Sequence, residues 1–298
     1  MSEEKSFSNI MYMTSACQLS CRYCYEAEKR KQLKEDFWIT EDQVKEGLDF
    51  FKDARRNRSI LFFGGEPLLA WDKIKFAVKY VFSTIITNDY DRFYFNIITN
   101  GIRLSDDIFF EEYFNFFEKE YPRSDVKLEI SYDGSGQADR VFPDGSPSKD
   151  IVLKAINKLD KNNKEFYLRY TLTEKTYDVI EKELIYLFEK YKNLAGMTVN
   201  IASTNLDKLS GDYKKSVDAK RNNMLGIYEI YKKPICDFTC ALCKRCHPTD
   251  FNMHYVPGIG NKISSKVQKG FDRWNPLVGE SYEMDRYDLE GRAIGKNA

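Results

Sequence analysis

Ile10-Met11-Tyr12-Met13-Thr14-Ser15-Ala16-Cys17-Gln18-Leu19-Ser20-Cys21-Arg22-Tyr23-Cys24 joins a short apolar run to a loop holding three cysteines. Ile10–Thr14 has the length and composition of a buried strand, so the thiols lie just past a strand's carboxyl end. The same design recurs downstream. Ser59–Phe63 runs into Gly64-Gly65-Glu66-Pro67, Phe93–Thr99 into Asn100-Gly101, and Lys127–Ser131 into Tyr132-Asp133-Gly134. Phe166–Leu172 and Met197–Ala202 complete a set of six predicted strands.

Amphipathic stretches separate them. Thr40-x-x-Gln43 resembles a capping box, after which Val44, Leu48 and Phe51 recur at helical spacing. Further helices are predicted at about 72–83, at Asp107–Lys119 through Phe110, Phe114 and Phe117, and at Lys149–Lys161 through Val152, Ile156 and Leu159. Ile180–Tyr191 and Asp212–Lys232 supply the last two. Strands that alternate with helices become parallel neighbours joined by right-handed crossovers. The expected fold class is α/β, a partial (β/α)6 TIM-like barrel whose missing pairs leave a lateral gap wide enough for a large substrate. Chemistry in such folds gathers at the carboxyl ends of the strands, where every glycine-rich or polar motif above falls. The barrel is assigned to residues 1–232 and a small C-terminal extension to 233–298, with Pro248–Ala298 read as an irregular cap or tail.

Composition narrows the classes. The chain of 298 residues is 42% hydrophobic and 15% aromatic, ample for a packed core. Its 46 basic and 46 acidic residues cancel, so no whole-molecule charge draws it to nucleic acid. No apolar run approaches the ~20 residues of a membrane span, and Met1-Ser2-Glu3-Glu4-Lys5 is no signal peptide. The expected location is the reducing cytosol, where cysteines serve as metal ligands or catalysts more often than as disulfides. All seven cysteines fall in two short windows, and there are only two histidines. That scarcity weighs against mixed Cys/His zinc sites and against histidine acid–base chemistry.

Cys17, Cys21 and Cys24 can bind three irons of a 4Fe–4S cube and leave the fourth open to a small molecule. Structural zinc would need a fourth ligand, and a redox dithiol would need only two cysteines. In the second window Cys236, Cys240, Cys243 and Cys246 put four thiols within eleven residues. Four ligands complete either a 4Fe–4S cube or a tetrahedral zinc.

The C-x-x-x-C-x-aromatic-C loop after a first strand resembles the signature of the radical S-adenosylmethionine (radical SAM) enzymes. The resemblance implies that the amino and carboxylate groups of the cofactor's methionine part chelate the open iron. It implies reductive cleavage to a 5′-deoxyadenosyl radical that abstracts hydrogen from a substrate. It also sets Tyr23 against the adenine. Gly64-Gly65-Glu66 resembles the family's G-G-E motif, which takes the methionine ammonium. Ser131-Tyr132-Asp133-Gly134 with Asp139, Arg140 and Gly145 resembles the S-x-D-G…D-x-x-R…G loop of the branch containing anaerobic sulfatase maturases and peptide-modifying enzymes. That resemblance places Ser131 and Arg140 near the ribose and carboxylate, although Asp139 here directly abuts Arg140. Thr99-Asn100-Gly101 resembles the branch's T-N-G.

The branch's SPASM and twitch extensions carry auxiliary 4Fe–4S clusters, which favours a cube over zinc at the second window despite its atypical spacing. The implied substrate is a peptide or protein side chain, and the implied electron donor a flavodoxin or ferredoxin serving a monomer. With the first strand starting near residue 9, no separate leader-binding module is expected ahead of the barrel. Lys29-Arg30-Lys31 and Arg55-Arg56-Asn57-Arg58 motivate a second reading, modification of a nucleotide, nucleic-acid base or small metabolite. A third reading, a non-enzymatic iron–sulfur or zinc module, would leave Gly64-Gly65-Glu66 without a role. Arg169, Thr171 and Asn200 are candidates for the barrel's inner wall.

Overall fold

The structure is a computed structural model that describes residues 7–24, 26, 30, 35–52, 58–88, 92–173, 176–201, 223–224, 226–233, 235–236, 251–256, 260–265, 286–287 and 293–294. Six strands run in chain order, β1 (Phe7–Thr14), β2 (Arg58–Gly64), β3 (Phe93–Thr99), β4 (Asp125–Ser131), β5 (Phe166–Leu172) and β6 (Leu194–Ile201). Each pairs in parallel with the next. Among the described residues, the helices of the intervening segments include α1 (Glu41–Asp49), α2 (Trp71–Tyr80), α3 (Asp107–Asn115), α4 (Lys149–Lys161) and α5 (Ile180–Lys190). Residues 226–231 are helical within the sixth predicted helix.

The order β1 to β6 never reverses, so the sheet winds one way and curls instead of switching direction in the middle. It does not close. β7 (Ile235–Cys236) extends the β6 edge, and β8 (Phe251–Val256) pairs in parallel with β1, followed by antiparallel β9 (Gly260–Ser265). Two short strands, β10 (Arg286–Tyr287) and β11 (Ala293–Ile294), form a separate ribbon. Strands β8 and β9 differ from the irregular tail expected there. Phe251-Asn252-Met253-His254-Tyr255 alternates apolar and polar residues, a period-two pattern that fits a strand within the stretch read as irregular.

Period two separates the sheet's faces. Ile60 and Phe62 of β2, Phe93, Phe95 and Ile97 of β3, and Phe166, Leu168 and Tyr170 of β5 are buried in one core with the helices. Phe51 meets the Phe93 ring edge-on with centroids 5.1 Å apart, and Val152, Ala155, Ile156 and Leu159 give α4 its buried stripe. The intervening residues, Asn96, Lys127, Glu129, Ser131, Arg169 and Thr171 among them, share the opposite, concave face. The capping box is formed reciprocally, Thr40 N–H donating to Gln43 Oε1 at 2.9 Å and Gln43 N–H to Thr40 Oγ1 at 3.3 Å. Asp106 caps α3 by accepting from Phe109 N–H at 2.8 Å. Both α2 and α3 end in a wider π turn, Val81–Ile85 and Phe116–Glu120, so each departs from the uninterrupted helix predicted there.

Candidate active site

The cysteine loop leaves β1 and is held by segment 36–39 and by the ends of β2, β3 and β4. Segment 36–39 backs it: Thr14 Oγ1 donates to the Phe37 carbonyl at 2.7 Å, and Ser15 Oγ accepts from Phe37 N–H at 2.8 Å. From β2, Gly65 N–H donates to the Thr14 carbonyl at 2.7 Å and Glu66 N–H to the Ala16 carbonyl at 2.8 Å. From the turn after β3, Asn100 Nδ2 donates to Gln18 Oε1 at 3.0 Å and lies 3.8 Å from Cys17 Sγ. From the loop after β4, the Val141 carbonyl accepts from Ser20 N–H at 2.7 Å and the Asp139 carbonyl from Arg22 N–H at 2.9 Å. Four motifs far apart in sequence thus meet around one loop. Cys17, Cys21 and Cys24 are half-buried free thiols in it.

The two glycines explain the closeness of β2. A Cβ at Gly64, where φ is +127°, would sit 2.4 Å from the Thr14 carbonyl oxygen, and one at Gly65 would sit 2.3 Å from that of Ala16. Neither position tolerates a side chain unless the loop shifts. Within the protein, therefore, the glycines admit the cysteine loop's backbone.

Glu66 is buried at 1% exposure. Its Oε1 accepts from Leu68 N–H at 3.0 Å and Thr99 Oγ1 at 2.7 Å, and its Oε2 accepts from Asn100 N–H at 2.7 Å. Burial pushes its carboxyl up to about 7 despite those three donors. The side chain ties the β2 end to the β3 end and so places Asn100 on the cysteine loop. Thr99-Asn100-Gly101, the stretch that resembles the branch's T-N-G, is part of the same assembly.

Tyr23 points its hydroxyl at Asp133 Oδ2, and Arg140 Nε donates to the same oxygen at 3.0 Å. The Arg140 guanidinium lies 5.4 Å from the Tyr23 ring centroid. Burial alone would draw Arg140 down, but Asp133 beside it holds it well above the ordinary guanidinium range. Ser131 ends β4 in register with Arg169. On the concave face, Glu129 accepts from Arg169 at 2.9 Å and from Thr198 Oγ1 at 3.3 Å, and pairs with Lys127 at 2.5 Å. Two cations thus flank one carboxylate on that wall. Arg169 and Thr171 are on the concave face, as the sequence reading allowed.

Burial raises the Cys17 thiol and lifts that of Cys21 to about 11, so thiolates there need a compensating cation or metal. Among the described residues, no three His, Cys, Asp or Glu side chains converge as a single metal ion would require. A cube makes a different demand, because each thiolate takes its own iron, and three soft sulfurs on one loop are the right donor set for it. Arg30 places its guanidinium 3.8 Å from Cys24 Sγ. Cys240, Cys243 and Cys246, and the side chain of Cys236, lie outside the described residues. The basic patches behind the nucleic-acid reading are thinned: Arg30 turns toward the cysteines, and Arg58 is buried, donating to the Ile85 carbonyl at 3.0 Å.

The model described as the Radical SAM superfamily matches residues 11–184, more than half of the chain, including the cysteine loop and the β2, β3 and β4 ends that hold it. The chain belongs to the radical SAM superfamily. Among its relatives, the radical SAM cyclopropyl synthase TigE of Paramaledivibacter caminithermalis is 24% identical over 233 residues, 74% of this chain but only 45% of that protein. The uncharacterized protein MJ0907 of Methanocaldococcus jannaschii is 26% identical over 236 residues, 75% of this chain and 73% of that one. The chain thus spans under half the length of the synthase and about three quarters of the archaeal protein. Native anSMEcpe with bound AdoMet and the Cp18Cys peptide superposes with a TM-score of 0.63 at 18% identity, covering 90% of this chain and 76% of that one. Streptococcus suis SuiB bound to S-adenosylmethionine gives 0.54 at 13% identity, covering 90% and 63%. These likenesses establish the partial barrel of the radical SAM fold. Asp133, Gln137 and Glu129 are among the polar residues to which the sequence reading gave no role; for Asp133 and Glu129 a carboxylate in or just past a barrel strand was the available signal.

Proposed function

We propose that this radical SAM protein cleaves S-adenosylmethionine reductively and abstracts hydrogen from a peptide or protein side chain. The observation that carries the reading is the cysteine loop seated at once on the ends of β2, β3 and β4. Cys17, Cys21 and Cys24 would hold a 4Fe–4S cluster. With the cluster and S-adenosylmethionine bound, the cofactors supply one-electron cleavage to a 5′-deoxyadenosyl radical. The chain's own residues bind and orient. Gly64 and Gly65 hold the loop against β2, and Glu66, with three of roughly four carboxylate acceptor positions occupied, keeps one for an ammonium. Ser131 offers a hydroxyl, Arg140 a cation for a carboxylate, and Tyr23 a ring for adenine.

The peptide class is supported by the fold shared with anSMEcpe, solved with a peptide bound, and by a sheet that stays open at its edges. Residues 233–298 are assigned as an extension in which Cys236, Cys240, Cys243 and Cys246 bind an auxiliary 4Fe–4S cluster. A flavodoxin or ferredoxin is the proposed electron donor to a monomer. Among the described residues no helix is long and apolar enough to cross a membrane, which is compatible with a cytoplasmic site of action.

Anaerobically reconstituted protein is expected to be brown, to carry about eight irons if both windows hold cubes, and to release 5′-deoxyadenosine with dithionite and S-adenosylmethionine. Replacing Cys17, Cys21 and Cys24 together by Ala should abolish release and leave the second cluster's absorbance. Cleavage that survives this triple substitution overturns the assignment.

A further inference from the structure

One buried carboxylate ties together the two side chains on which the cofactor reading depends. Asp133 is 2% exposed and follows β4 by two residues. Its Oδ2 accepts from the Tyr23 hydroxyl and from Arg140 Nε at 3.0 Å, and its Oδ1 accepts from Thr171 N–H on β5 at 2.8 Å. Its own N–H donates to Gln137 Oε1 at 3.1 Å, and Gln137 in turn donates to Ser148 Oγ at 3.2 Å at the start of α4. Arg140 donates a second time, to Thr171 Oγ1 at 3.4 Å. A carboxylate accepting from a phenol, a guanidinium and a backbone amide sets directions as well as charge, since each donor must lie near a lone pair.

We infer that Asp133 is a positioning residue for the sulfonium cofactor, orienting the Tyr23 ring and the Arg140 guanidinium through one shared oxygen. Tyr23 belongs to the cysteine loop and Arg140 to the loop after β4; beside the 5.4 Å contact of the guanidinium with the Tyr23 ring, Asp133 Oδ2 is the acceptor that the two side chains share. Asp133 also neutralises Arg140 inside the protein, where an unpaired guanidinium would draw water or another anion into the space between the loops. The inference rests on the reading that Tyr23 and Arg140 face S-adenosylmethionine.

The test uses the full chain with its clusters reconstituted. Asp133→Asn keeps the shape and one acceptor but removes the negative charge. Its expected effect is at least tenfold weaker S-adenosylmethionine binding by equilibrium titration. Iron content and the electron paramagnetic resonance spectrum of the reduced, cofactor-free cluster should match the wild type, while the spectral change on adding S-adenosylmethionine should shrink. Adding Tyr23→Phe, which removes only the hydroxyl, to Asp133→Asn should cost nothing further. Affinity within twofold of wild type in Asp133→Asn overturns the inference, as does a lower melting temperature with unchanged affinity. If Asp133→Asn does not fold, Tyr23→Phe decides: several-fold weaker binding supports the inference and wild-type binding overturns it. Tyr23→Ala and Arg140→Ala keep the two failures apart. If both weaken binding and Asp133→Asn does not, the inference alone fails; if neither does, the reading beneath it fails.

Discussion

At the scale of single residues, close approach governs the site. Gly65 lacks a side chain because the cysteine loop's carbonyls occupy the space a Cβ would need, with Ser15 O at 2.5 Å and Ala16 O at 2.3 Å. Gly65→Ala must push the loop away, breaking the 2.8 Å bond from Glu66 N–H to the Ala16 carbonyl. We expect a loss of about 1–3 kcal/mol in urea denaturation together with reduced iron content after reconstitution. A variant that keeps full iron and wild-type stability would show that the loop has slack the structure does not reveal. The motif itself was visible in the sequence. Its use was not, because Gly-Gly at a strand end reads equally as room for a ligand or room for another backbone.

At the scale of elements, local signals were the most legible. The boundaries of β3, α4 and β5 coincide with those read from periodicity, since each carries its own burial pattern within one element. The capping box at Thr40 and Gln43 likewise needs only four consecutive residues. Thr40→Ala removes the acceptor of Gln43 N–H and should cost about 1 kcal/mol of stability in a urea titration, with iron content and cofactor cleavage untouched. Lost cleavage in that variant would place α1 in the site's support. The π turns after α2 and α3 escaped because widening at a helix end follows from how Val81–Ile85 and Phe116–Glu120 pack, and aromatic spacing does not encode it.

At the scale of the whole molecule, a buried acid joining two strand ends makes stability depend on pH. Glu66 titrates near 7 in the folded chain against an ordinary 4.5, so the native state holds that proton more tightly than the unfolded one. The sign follows: its contribution is fully present below about 4.5 and is lost as pH rises through about 7. A shift of this size corresponds to about 3 kcal/mol. Iron-free protein should therefore melt lower at pH 8 than at pH 5, and Glu66→Gln should flatten that slope even if it lowers the whole curve. Equal slopes in the two proteins would mean that Glu66 is ionised throughout.

What the sequence determined by itself was the alternation of strands and helices, the open α/β barrel it implies, and the three-thiol loop past the first strand. Each follows from residues near one another along the chain, where periodicity and spacing act. Only the tertiary structure decided that Glu66 and Asp133 turn their carboxylates to donors within the protein, and that Arg30 and Arg58 leave the expected basic patches. It also set a charged cluster on the concave wall. Those outcomes depend on which strand ends become neighbours when the sheet curls. A buried charge is then settled by whichever donor or counter-charge lies within hydrogen-bonding distance, and Asp133 meets Tyr23 across 110 residues of chain.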